Sequence, residues 1–117
     1  MRAEVLQRLG VSLSALVAVA IAVLTLMPAQ SLPSAPGSDK LHHFLAFAAL
    51  VLPAVTVRPR NALWMVPLAI GYGGMIELIQ PHVGRHGEWG DVLANALGAC
   101  IGAGLGWAFH GLGRRLF

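Results

Sequence analysis

The chain has 117 residues, of which 56% are hydrophobic and only 11% charged. Soluble domains carry about 25% charged residues, so this composition leaves too little polar surface for a soluble fold. The pI near 10.0 does not imply a nucleic-acid partner, because the basic residues sit at the ends of apolar runs and form no single face.

The length allows one domain, residues 1–117. Four apolar runs are predicted to be membrane-spanning helices, at about 10–28, 41–57, 62–80 and 92–112. The first follows Arg2 and Arg8. Its uninterrupted apolar part, Val11 to Met27, has 17 residues, against about 7–15 in a signal-peptide core. A retained helix is therefore expected, although Ala29-Gln30-Ser31 resembles a weak cleavage site. Pro28 ends the run, and a loop rich in serine and proline follows. Ser38 or Asp39 can cap the second helix, and Asp39 suits its positive dipole end. Pro53 is placed to bend that helix. Arg58-Pro59-Arg60-Asn61 is a tight basic turn. The third helix stops at Pro81, and the fourth ends before Arg114 and Arg115.

Each run approaches the length needed to cross about 30 Å of hydrocarbon at 1.5 Å per residue. The second and third are slightly short and are expected to recruit flanking residues. Arg2, Arg8, Arg58, Arg60, Arg114 and Arg115 share one side in an up-down topology, leaving Lys40 and Arg85 on the other. The positive-inside rule then places both termini in the cytoplasm. The fold class is all-α, a four-helix transmembrane bundle. Gly98, Gly102 and Gly106 recur every four residues and form a stripe for close helix contact in lipid. Asp91 and Asn95 continue that stripe. Gly73 and Gly74 lie one turn below Glu77, so Glu77 is expected to face the bundle. Trp64 and Trp107 read as interfacial anchors, His42 and His110 as interfacial, His82 and His86 as loop residues. Cys100 reads as small apolar filler.

The polar residues converge at the outer end of this arrangement. Lys40 and His43 open the second helix, and Glu77 and Gln80 close the third. Arg85 and Glu88 lie in the loop, and Asp91 and Asn95 open the fourth helix. The spacings of three and four put each helical set on one face. A carboxylate inside a span costs ~2.5–3.5 kcal/mol on insertion scales, which makes Glu77 a functional candidate. The structural alternative is interfacial ion pairing, Lys40 with Asp91 or Arg85 with Glu77, together with helix capping. A zinc site from His43, Glu77 and a loop histidine has no supporting motif such as H-E-x-x-H, so no metal and no cofactor are expected.

These residues resemble the VanZ-like family of bacterial membrane proteins. The resemblance rests on S-D-K-L-H-H-F-L-A-F (38–47), G-M-I-E-L-I-Q (74–80) and R-H-G-E-W-G-D-V-L-A-N-A-L-G (85–98). Lys40, His43, Glu77, Gln80, Arg85, Asp91, Asn95 and Gly98 fit its pattern position by position, over about two thirds of the chain. The resemblance implies an integral protein of the cell envelope. The family's namesake is associated with resistance to the glycopeptide antibiotic teicoplanin.

The resulting expectation is a multi-pass protein of the bacterial inner membrane with an outward-facing polar pocket. Lys40, His43, Glu77, Gln80, Arg85, Asp91 and Asn95 would bind an anionic lipid-linked or glycan ligand, with Lys40 and Arg85 meeting phosphate or carboxylate. The alternative is a membrane-embedded hydrolase or transferase with His43, Glu77 and Asp91 as catalytic candidates. A third reading is a helix-packing or partner-binding module. The expected partners are the lipid bilayer and a lipid-linked envelope precursor. The sequence sets no oligomeric state.

Overall fold

The computed structural model describes residues 2–27, 39–83 and 89–116. Its long helices are α1 (Arg2–Leu26), α2 (Asp39–Val57), α3 (Ala62–Ile79) and α4 (Trp89–Leu116). Single 3-10 turns at Pro59–Asn61 and Gln80–Val83 flank α3. They supply the length expected from flanking residues of the third run, because Pro59–His82 forms a continuous helical stretch of 24 residues. All four helices are long and apolar enough to cross a membrane. At 1.5 Å per residue, the 28 residues of α4 span ~42 Å, more than the hydrocarbon layer alone requires.

The distribution of residues is that of a protein surrounded by lipid. Leu16, Leu63, Leu78 and Leu105 point outward, while Ser14, His43, Asn61, Glu77, Gln80, Asp91 and Asn95 are buried. Contacts between helices fix the up-down order. Gln7 near the start of α1 meets Asn61 before α3, and Thr25 near the end of α1 meets Gln80 after α3. His43 at the start of α2 meets Asn95 at the start of α4. At the other end, His110 Nδ1 lies 2.8 Å from the Thr56 carbonyl. His110 therefore ties α4 to α2, a role beyond the interfacial one expected.

The most extensive helix contact is between α2 and α4, and the glycine stripe makes it. Gly98, Gly102 and Gly106 are all buried. A Cβ at Gly98 would collide with the Phe44 carbonyl, and one at Gly102 would stand 2.5 Å from the Ala48 carbonyl oxygen. Phe47, Leu50, Val51, Ala54 and Val55 of α2 pack with Ala99 and Ala103 of α4 to form much of the core. Cys100 lies on the opposite face and is exposed. The filler role expected for it is incorrect, because α4 turns its small-residue face inward and carries position 100 outside.

α2 runs unbroken through Pro53. A proline ring removes one backbone donor and disturbs the hydrogen-bond ladder, and in membranes neighbouring helices re-satisfy the freed groups. The Ala54 N–H donates to Ser14 Oγ of α1 at 3.2 Å, and the Ala54 carbonyl accepts from Asn61 Nδ2 at 2.8 Å. Asn61 also accepts from Trp64 Nε1 at 3.0 Å. Trp64 thus joins a polar network as well as sitting near a helix end. Ser38, one of the two expected caps, lies outside the described residues.

Candidate functional site

Three helix ends bring the candidate residues together. On α2, His43 is one turn beyond Lys40; the Lys40 side chain is 53% exposed and that of His43 is buried. On α3, Glu77 is buried in the last turn and Gln80 is buried in the turn that follows. On α4, Asp91 and Asn95 are each 1% exposed. The helical steps of three and four place His43, Glu77, Gln80, Asp91 and Asn95 inward, with Lys40 at the rim. Arg85, with His86 and Glu88, lies outside the described residues.

Asp91 lies between two basic groups. Its Oδ1 is 3.7 Å from Lys40 Nζ and its Oδ2 is 3.7 Å from His43 Nε2. Of the two ion pairs expected from the sequence, the Lys40–Asp91 pair is present. The other ring nitrogen, His43 Nδ1, is 3.0 Å from Asn95 Oδ1. An amide oxygen only accepts, so this contact places a proton on Nδ1 and turns Nε2 toward Asp91. The 3.7 Å from Nε2 to Oδ2 exceeds the ~2.7–3.2 Å of an N–H···O hydrogen bond.

Glu77 completes the group. One ligand atom from each of His43, Glu77 and Asp91 lies within 4.8 Å of the others. Among the described residues, these three, one from each of three helices, form a group able to hold a metal ion. Two carboxylates this close repel each other whenever both are ionised. Gln80 Nε2 donates to the Thr25 carbonyl of α1 at 3.1 Å. Gln80 Oε1 and Asn95 Nδ2 are buried and have no hydrogen-bond partner among the described residues. Such groups are rare in native interiors and call for a ligand, a water or an ion.

Two glycines shape the site. A Cβ at Gly73 would stand 2.7 Å from Asn95 Nδ2 and 3.2 Å from the Phe47 ring, so glycine there lets Asn95 lie between α3 and α4. A Cβ at Gly90 would stand 2.6 Å from Lys40 Cε, so glycine there lets the lysine stem cross the start of α4 toward Asp91. The sequence reading assigned no such role to Gly90. The signal available was its place directly before Asp91.

A groove of about 430 Å³ opens beside the cluster between α3 and α4. Gly71, Gly74, Leu78, Trp89 and Val92 line it, and Glu77 is the charged residue in its wall. Added Cβ atoms at Gly71 and Gly74 would meet nothing within 4 Å, so these glycines leave the groove open. The arrangement can therefore accept an apolar chain from the side and present a carboxylate at its polar end.

A model of the family described as VanZ/LLP1 matches residues 6–110. No curated protein and no solved structure matches the chain.

Proposed function

We propose that this multi-pass membrane protein, which belongs to the VanZ/LLP1 family, binds an anionic lipid from the side. The headgroup would be held among Lys40, His43, Glu77, Gln80, Asp91 and Asn95, and the apolar chain would lie between α3 and α4. Arg85, on the loop between those helices, would add a second cation able to grip phosphate bidentately. The site would face outward from the bacterial inner membrane, with both termini in the cytoplasm, as the distribution of arginines favours. A lipid-linked phosphate or glycan precursor of the envelope fits this chemistry.

The observation that carries the reading is the groove that reaches Glu77 in its wall. A carboxylate held for structure alone needs no open path to the lipid. Buried donors and acceptors left over on Asn95 and Gln80 support the same reading, since they offer hydrogen bonds that a headgroup can complete.

The test uses Gly74→Leu. Leucine at this position meets open space at its Cβ, so it fills the groove without pushing on the bundle. Protein purified in detergent is incubated with a polyprenyl phosphate, and retained lipid is measured by native mass spectrometry. Wild type is expected to retain the lipid, and Gly74→Leu to lose it at unchanged thermal stability. Equal retention by both proteins refutes the groove reading.

A catalytic reading shares this site. It is favoured by one feature, the clamping of His43 between Asn95 and Asp91, which suits a general acid or base. Release of inorganic phosphate from the same probe separates turnover from retention. A helix-packing module predicts neither.

A further inference from the structure

We propose that His43, Glu77 and Asp91 bind one divalent transition-metal ion, of the zinc or manganese class, with Asn95 fixing the histidine ring. The donor set is one imidazole and two carboxylates from α2, α3 and α4, all buried, with one ligand atom of each within 4.8 Å of the others. Zinc accepts this mixture of nitrogen and oxygen ligands, and manganese is also suited to carboxylates. Ligand atoms about 2.0–2.2 Å from a tetrahedral ion stand roughly 3.4 Å apart. The 3.7 Å between His43 Nε2 and Asp91 Oδ2 is close to that value and too long for a hydrogen bond.

The surroundings of His43 point the same way. Metal-binding histidines almost always donate their second ring N–H to a carboxylate, carbonyl or water, which sets the tautomer and the ring's orientation. Asn95 Oδ1 occupies that position at 3.0 Å from Nδ1. Gln80 gives a separate indication. It is 1% exposed, lies in the turn after α3 three residues beyond Glu77, and its Oε1 has no hydrogen-bond partner among the described residues. A buried amide oxygen of this kind calls for a water or an ion. Charge is the remaining argument. Two buried carboxylates share this space, and a doubly charged cation neutralises both.

Three protein ligands leave an open coordination position. A phosphate oxygen can take it, which would turn an acidic cluster into an anion site; this step rests on the anionic-lipid reading, whereas metal binding itself does not.

The experiment uses full-length protein in detergent, stripped with chelator and free of added lipid. Titration with Zn²⁺ is expected to show one ion per chain and a raised melting temperature. Asp91→Asn and His43→Gln are each expected to weaken binding at least a hundredfold. Asn95→Ala should weaken it by ~10–100-fold, the usual effect of losing such a support. His82→Gln, in the exposed turn after α3, should bind as wild type does. X-ray absorption of the zinc-loaded wild type gives an answer that needs no variant, and a shell with one imidazole and oxygens is expected. The proposal is overturned if wild type binds no zinc, if binding survives both Asp91→Asn and His43→Gln, or if the shell holds two or more imidazoles. Polyprenyl phosphate retention by the stripped protein without zinc binding would sink the metal site and leave the lipid reading standing.

Discussion

Replacing Gly102 by alanine adds one methyl group where α2 and α4 nearly touch. The new Cβ would stand 2.5 Å from the Ala48 carbonyl oxygen, 2.9 Å from its Cα and 3.1 Å from its carbonyl carbon. Carbon atoms settle about 3.5–4.0 Å apart, so the helices must part by roughly an ångström. A gap of that size forfeits about a quarter to a half of the attraction between each facing pair. The loss falls on the most extensive helix contact in the molecule. Overpacking of this kind costs ~1–3 kcal/mol. Gly104 offers an internal control, because a Cβ there would meet nothing within 4 Å. Alanine at 104 should gain up to ~1 kcal/mol from helix propensity. The same propensity gain applies at 102, so the two variants are expected to differ by the overpacking cost alone, ~1–3 kcal/mol. Unfolding by SDS in mixed micelles, followed by helical circular dichroism, measures the difference. Equal midpoints for Gly102→Ala and Gly104→Ala would show that the α2–α4 contact is not set by the glycine stripe.

Asn61→Ala should destabilise the fold by about 1–3 kcal/mol in the same assay, because Trp64 Nε1 and the Ala54 carbonyl lose their Asn61 partner. Lipid retention at the far end should be unchanged, and a selective loss of retention would contradict a structural role for Asn61. Reporter fusions after residue 117 and within the loop at 31–38 should report opposite sides of the membrane, with the terminus in the cytoplasm; a terminus outside would move the whole polar site to the cytoplasmic face. Cys100, exposed on α4 within the apolar span, should react with an apolar maleimide in intact membranes and resist a charged one. Labelling by both reagents at equal rates would place that face against water.

The helices were legible because a span is a local property: apolar runs of the required length lead to α1 through α4, although α1 starts at Arg2 and α4 continues through Arg114 and Arg115 to Leu116, beyond the expected bounds, because arginine is a good helix former and does not stop a helix. The inward face of α4 was legible for the same reason, since Asp91, Asn95, Gly98, Gly102 and Gly106 follow one periodicity. The metal-capable grouping was not legible in this way. His43, Glu77 and Asp91 come from three helices, so no ligand-spacing motif joins them, and the expectation of no metal rested on the lack of such a motif. The partnership of Asn95 with His43 and the clearance that Gly90 gives Lys40 depend on how closely α2, α3 and α4 approach. Spacing along the chain holds no information about that distance. Cys100 shows the opposite difficulty. Its neighbours are apolar in every direction along the sequence, and only the packing of α4 shows which of them face lipid.

The bundle contains two buried polar clusters, and their difference bears on function. At the Asn61 end, Oδ1 accepts from Gln7 and Trp64, while Nδ2 donates to Gln7 and to the Ala54 carbonyl. That network closes on itself with neutral groups, and it adds a second donor to the Ala54 carbonyl, which also accepts from the Arg58 N–H. At the His43 end, the cluster carries two carboxylates, and buried amide atoms of Gln80 and Asn95 have no hydrogen-bond partner among the described residues. Among the described residues, the amide hydrogen bonds are complete at the Asn61 end, while capacity remains on Gln80 and Asn95 at the other. A purely structural cluster would be stabilised by the neutral solution already present around Asn61, because burying charge costs more than burying an amide. The open end also adjoins the groove in which Glu77 forms part of the wall. Two acids make a poor site for an anion by themselves, and Lys40, half exposed at the rim, offsets only part of that charge. A cation between His43, Glu77 and Asp91 would reverse the sign of the site. The acidic cluster and the anionic-lipid reading are then compatible, with Lys40 meeting the headgroup at the opening and the ion meeting it inside.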